Sequence, residues 1–108
     1  MTEQTARQLI EKMPEDFRPK RARGVDAVVQ FQLSGEGGGS WYVVIKGGNC
    51  EVVEGVNDSA QATVRMTASD YVALSTGKLG GMRAYLTGRV KISGDQTLLR
   101  KMQKWFPQ

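Results

Sequence analysis

The chain has 108 residues, 40% of them apolar and 24% charged, with 15 Lys and Arg against 11 Asp and Glu for a formal charge of +4. That is the length of one domain over residues 1–108, able to bury roughly two thirds of its unfolded surface, and the composition excludes a disordered chain. With no histidine and a single cysteine, Cys50, the chain lacks the commonest general base, an internal disulfide and a Cys/His zinc site, while the surplus of positive charge favours anionic partners without choosing among them.

Thr2 to Met13 reads as a helix with Thr2 as N-cap: Ala6, Leu9, Ile10, Met13 and then Phe17 recur at helical spacing, and Pro14 closes the pattern. Arg18 to Arg23 is a basic run, punctuated by Pro19 and Gly24, that reads as a turn leading into a strand. Val25 to Ser34 alternates, with Val29, Phe31 and Leu33 on one side and Gln30, Gln32 and Ser34 on the other. After the Gly-rich turn 35–40, Trp41 to Lys46 is a second strand with Trp41, Val43 and Ile45 on one face. Cys50 to Glu54 is a third strand, and Gln61 to Ala68 a fourth with Ala62, Val64 and Met66 inward. Four strands joined by short turns predict an antiparallel meander.

The period then changes. Ser69 is positioned to cap a short helix, Asp70 to Thr76, stopped by Gly77. Met82 to Thr87 is a second short helix, Arg89 to Ser93 a fifth strand, and Asp95 the cap of a last helix reaching about Phe106, with Leu98, Leu99, Met102, Trp105 and Phe106 along one stripe. The sum is an α+β domain: a five-stranded, mainly antiparallel sheet with helices covering one face. The longest uninterrupted apolar run, Trp41 to Ile45, is far short of the roughly 20 residues that span a bilayer. The polar start Met1-Thr2-Glu3-Gln4 shows no signal peptide and the end Trp105-Phe106-Pro107-Gln108 no Ser-Lys-Leu address, so the expected location is cytoplasmic.

The stretch STGKLGGMRAYLTGRVKISGD, Ser75 to Asp95, resembles the signature of the sterol carrier protein 2 domain family. That pattern runs Ser-Gly-Lys-Leu, an Asp-Pro or similar, Met-Lys-Ala-Phe, a Gly, then Lys-Leu-Lys-Ile-x-Gly-Asp. The upstream order agrees over almost the whole chain: N-terminal helix, strand with Phe31, Gly-rich hairpin with Trp41, Gly55 loop, and a strand ending before Thr67-Ala68-Ser69-Asp70. Gly80-Gly81 stands where many members carry Asp-Pro, which loosens the turn between the two short helices, and the peroxisomal address of eukaryotic members is absent.

The resemblance implies a small, single-domain, bacterial-type member whose sheet and helices enclose an apolar tunnel. It implies non-covalent binding and transfer of a fatty acid, fatty acyl thioester, sterol or isoprenoid, with no catalysis, cofactor or metal. The implied ligand-binding residues are Arg23, Phe31, Trp41, Val43, Met66, Leu74, Met82, Leu86, Ile92, Leu98, Met102 and Phe106. Arg23 is expected to face a ligand carboxylate, as an arginine near this position does in some single-domain relatives. The alternative is an accessory module for a lipid-modifying or isoprenoid-quinone pathway enzyme. Expected partners are a lipid, a transient anionic membrane surface and such an enzyme, but not nucleic acid, because Phe31 and Trp41 fall on the inward face and do not interleave with exposed basic residues.

Blander readings stand beside these. Met66, Met82 and Met102 suit an adaptable pocket or ordinary core filling. Trp105 and Phe106 suit a pocket cover, a bilayer contact or a simple anchor of the last helix. Arg18, Lys20, Arg21 and Arg23 suit a lipid contact or a solvated turn. Cys50 reads as a structural thiol, and Asp70 and Asp95 as helix-start carboxylates.

Overall fold

The computed structural model describes residues 5–102 and Trp105. Helix α1 (Ala6–Glu11) starts on a capping box: the Gln8 N–H donates to Thr5 Oγ1 at 3.1 Å, and the Thr5 N–H donates to Gln8 Oε1 at 2.9 Å. Thr5, not Thr2, is therefore the cap, since its spacing to Gln8 satisfies two orphan donors at once; Thr2 lies outside the described residues. Pro14 does not end a helix but sits in the first turn of a separate one, α2 (Met13–Asp16), where its missing N–H costs nothing. The basic run forms a 3₁₀ turn (Pro19–Ala22) that buries Ala22 and leaves Arg18, Lys20, Arg21 and Arg23 exposed.

Five strands follow the alternation of the sequence: β1 (Asp26–Ser34), β2 (Gly39–Lys46), β3 (Asn49–Glu54), β4 (Ala62–Thr67) and, after two helices, β5 (Lys91–Gly94). Their order is β3-β2-β1-β4-β5. Pairs β1·β2, β2·β3 and β4·β5 are antiparallel, but β1·β4 is parallel, so the sheet is mixed and not a meander. A parallel neighbour needs a crossover, and Gln30 fixes it. Its side chain is only 2% exposed; Nε2 donates to the carbonyls of Trp41 and Gly55, each at 3.0 Å, and Oε1 accepts the Asn57 N–H at 2.7 Å. The connection after β3 is thereby held against the face of β1 that alternation assigns to solvent. The Gln61 N–H then donates to the Val28 carbonyl at 2.9 Å, which sets β4 beside β1.

The other face of the sheet is apolar and buried: Val29, Phe31, Leu33, Trp41, Val43, Ile45, Val64 and Met66. Each such side chain contributes about 1.5–3 kcal/mol by leaving water. Helix α3 (Ala68–Ser75) touches β1 and β4 on this side, α5 (Gln96–Met102) touches β4, and α1 packs on α3. Helix α3 is capped by Thr67, whose Oγ1 accepts the Asp70 N–H at 3.0 Å, and not by Ser69. Asp95 caps α5 as expected, through the Leu98 N–H at 3.0 Å. Strand β5 starts at Lys91 because the Arg89 and Val90 N–H groups are already used: both donate to the Ala84 carbonyl and close α4 (Gly81–Leu86). Gly94 ends β5 at φ +88°, beside the Gln61 carbonyl, where a Cβ has no room.

Candidate functional site

Strand register lines up one row of side chains across the buried face. Phe31 lies opposite Trp41 on one side and Val64 on the other, and Val64 lies opposite Ile92. Val29 opposite Val43, and Leu33 opposite Met66, flank that row. From α3, Tyr71 meets the Phe31 ring edge-on, with centroids 6.2 Å apart and planes at 76°.

Of the residues expected at the site, Phe31, Trp41, Val43, Met66, Leu98 and Met102 come together in one buried cluster, with Leu74 and Ile92 partly buried against it. Met82 and Leu86 stand apart from it: each is 74% exposed on α4, whose buried residue is Ala84. Arg23 is exposed, and Phe106 lies outside the described residues. Trp105 is buried in the core cluster, and its carbonyl accepts the Arg18 N–H at 2.7 Å, so it anchors the chain beyond α5.

The Trp41 indole lies against Gly39, where a Cβ would come within 2.9 Å of the ring, and under the Arg7 guanidinium, 5.4 Å from the ring centroid. Arg7 also forks onto Glu54 with bonds of 3.0 and 2.9 Å, tying α1 to the end of β3. The Trp41 Nε1 donor is buried with no partner among the described residues. Tyr71 and Arg7 escaped the sequence reading. Tyr71 sits in a helix too short to show a clear stripe, and Arg7 acts through a β3 residue 47 positions away.

Two open clefts border the core. One, of about 650 Å³, lies at the C-terminal ends of β1 and β4, lined by Leu33, Met66 and Arg89 and by Ser40, Gln32, Arg65 and Lys91, a cross-strand row on the face turned away from the helices. Arg65 is oriented by Gln32 Oε1 at 3.0 Å and Ser93 Oγ at 3.2 Å, while Arg89 lies 3.9 Å from the Asp70 carboxylate. The other, of about 540 Å³, lies at the opposite end of β1 and contains Arg23, Val25, Asp26 and Lys46. Basic side chains thus mark both ends of β1, and those at its C-terminal end share a cleft with core residues.

Burial, with a smaller effect from Glu51, pushes the Cys50 thiol up to about 11, so it is protonated at neutral pH. Burial likewise pushes the Tyr71 phenol up to about 12. Among the described residues no group of three His, Cys, Asp or Glu side chains is placed to hold a metal, and no helix is long and apolar enough to cross a membrane.

Comparison with known proteins gives this arrangement a family. A sequence profile described as the SCP-2 sterol transfer family matches residues 6–107. Hydroxysteroid dehydrogenase-like protein 2 of Bos taurus is 34% identical over 98% of this chain and 25% of its own length. Sterol carrier protein 2 of Bos taurus is 32% identical over 87% of this chain and 18% of its own length. The chain therefore spans a quarter or less of these curated relatives. The solution structure of palmitated SCP2L2 from Aedes aegypti superposes with a TM-score of 0.77 at 28% identity, covering 96% of this chain and 93% of that one. The mixed five-stranded sheet with its helices matches that structure. The bacterial-type character expected from the sequence is not borne out, the curated relatives named here being bovine.

Proposed function

The chain belongs to the SCP-2 sterol transfer family, and we propose that it binds a single-chain lipid such as a fatty acid between the apolar face of its sheet and the helices, and transfers it without chemistry. The observation that carries this reading is the apolar row Trp41–Phe31–Val64–Ile92, with Leu33 and Met66 beside it, on the face of the sheet that the helices cover. A tail laid along that row gains about 0.8 kcal/mol per buried methylene, and an anionic head is left at the end of β1 and β4, beside Arg89. Phe31, Trp41, Val43, Met66, Leu74, Ile92, Leu98 and Met102 surround the tail as the sheet and the helices part around it, opening the apolar tunnel that the resemblance implies. The palmitate of the Aedes aegypti relative supports a fatty acid as the ligand class. The free thiol of Cys50 suits a reducing compartment such as the cytoplasm.

A second reading has its own support. Matching a quarter of a dehydrogenase-like protein, the chain is also suited to act as a module that presents lipid to a neighbouring enzyme. Both readings require the same pocket.

The head-group position is tested by titrating palmitate and its methyl ester against single variants. Arg89→Ala is expected to weaken the free acid about three- to tenfold while changing the ester little. Equal losses for both ligands place the head elsewhere. If Arg23→Ala is the variant that discriminates acid from ester, the carboxylate lies at the start of β1, as the resemblance implies.

A further inference from the structure

The apolar row holds a polar atom. Trp41 is 1% exposed, and its Nε1–H is buried with no hydrogen-bond partner among the described residues. An indole nitrogen only donates, and a buried donor left unpaired carries the full cost of leaving water. The side chains around it give no relief. Phe31 faces Trp41 from β1 and Glu54 from β3, and Gly39 and Val43 lie two residues away along β2. Glu54 is the one side-chain acceptor in that set, and its two carboxylate oxygens accept Arg7 at 3.0 and 2.9 Å. The Arg7 guanidinium, 5.4 Å from the ring centroid, is itself only a donor. The indole is also held in place: it lies against Gly39, where a Cβ would come within 2.9 Å of the ring, with Arg7 over its face.

We infer that Trp41 is a specificity-determining residue of the lipid site, and that the lipid it selects carries a keto, ether or ester oxygen within its buried chain. A fixed, desolvated donor favours the ligand that brings an acceptor to it, and disfavours the one that leaves it unpaired. The acceptor must bring no proton of its own. A hydroxyl would add a second donor beside Phe31, Val43 and Val64, whose side chains accept nothing. A carboxylate is the wrong group too, because an ionised oxygen in the core needs a cation, and Arg7 is already forked onto Glu54. Trp41, on β2, also lies two strands from β4, at whose end the head is placed, so the oxygen it meets belongs to the chain and not to the head. The inference rests on the lipid-binding reading and narrows its ligand class.

The test is displacement of a fluorescent fatty acid by stearate, by a series of oxostearates with the keto group moved along the chain, and by the matching hydroxystearates. In the wild-type protein at least one keto position is expected to bind about three- to tenfold tighter than stearate, and the hydroxyl at that position is not. Trp41→Phe keeps an aromatic ring and removes the N–H. It should bind stearate within about twofold of wild type and lose the preference for the keto acid. A wild-type protein for which no keto position beats stearate overturns the proposal, as does a preference that survives in Trp41→Phe. Because the substitution falls in the core, a second readout uses the unaltered chain: the indole N–H resonance of Trp41, assigned through its contacts to the Gly39 α-protons. The preferred keto acid should move it downfield and stearate should not. A resonance that no ligand moves overturns the proposal, and one that stearate moves equally places the carboxylate at Trp41 and overturns it as well. Uptake of stearate and of every oxostearate alike removes this inference and keeps the lipid site, whereas uptake of none of them removes both.

Discussion

Gln30 shows how much one side chain decides. Its amide bonds to four backbone groups, those of Phe31, Trp41, Gly55 and Asn57, on two strands and the loop after β3, and it is only 2% exposed. Replacing it by leucine takes this partner from the part-buried Gly55 carbonyl and Asn57 N–H, at about 1–2 kcal/mol each. Gln30→Leu is therefore expected to lower unfolding free energy by about 2–4 kcal/mol in urea titration. A loss under about 1 kcal/mol contradicts its role as the crossover anchor. Read by alternation, Gln30 is an ordinary solvent-facing strand residue. Its burial comes from a loop 25 positions away, which no local pattern reports. At the same scale, Tyr71 and Cys50 set the alkaline limit. Their folded values, about 12 and about 11, lie above reference values of 10.0 and 9.0. Ionisation therefore favours the unfolded chain: the stability they contribute is complete below pH 9 and is lost as pH rises through 11 to 12. Alkylation of Cys50 should follow a titration centred near 11; a midpoint near 9 would show the thiol to be exposed.

Among the elements, α4 is held loosely. It spans 6 residues, its N-cap Gly80 supplies no side-chain bond, and it buries only Ala84. Nothing lies within 4 Å of a Cβ built at Gly80 or Gly81, and Gly80 has φ −74° and ψ 140°, an extended conformation that proline tolerates in the residue before it. Gly80→Asp/Gly81→Pro, which restores the Asp-Pro of the family pattern, is accordingly expected to stabilise the protein by about 1 kcal/mol and to slow release of bound palmitate in stopped-flow exchange. Destabilisation would show that this turn is strained in a way its dihedrals do not suggest. The element boundaries that the sequence reading placed well, β1 to β4 and the Asp95 cap, have strong local signals: alternation, or a carboxylate three residues before the N–H it receives. Those it placed wrongly depend on competition. Thr5 displaces Thr2 and Thr67 displaces Ser69 because they have the better-spaced partner, and β5 starts late because the end of α4 claims two N–H groups first.

For the whole molecule, composition and alternation made the α+β class and the inward face of the sheet readable, since both are sums over local pattern. The parallel β1·β4 pair was not readable, because turn lengths say which strands are near in sequence and not which ones a crossover reunites. Phe31, Trp41, Val43, Met66, Leu98 and Met102 fall in one buried cluster because strand alternation and helical spacing turn them to the same side. The outward turn of Met82 and Leu86 escaped for a matching reason: periodicity gives the stripe of a helix and leaves open which way the stripe faces. The central claim, that the buried face accepts a lipid, is met most directly by native mass spectrometry of the purified protein with extraction and identification of what it carries. The account predicts a mass increment of one lipid per chain, or in a delipidated sample uptake of one palmitate that displaces a fluorescent fatty acid. A protein that is empty as purified and fails to take up either ligand contradicts it.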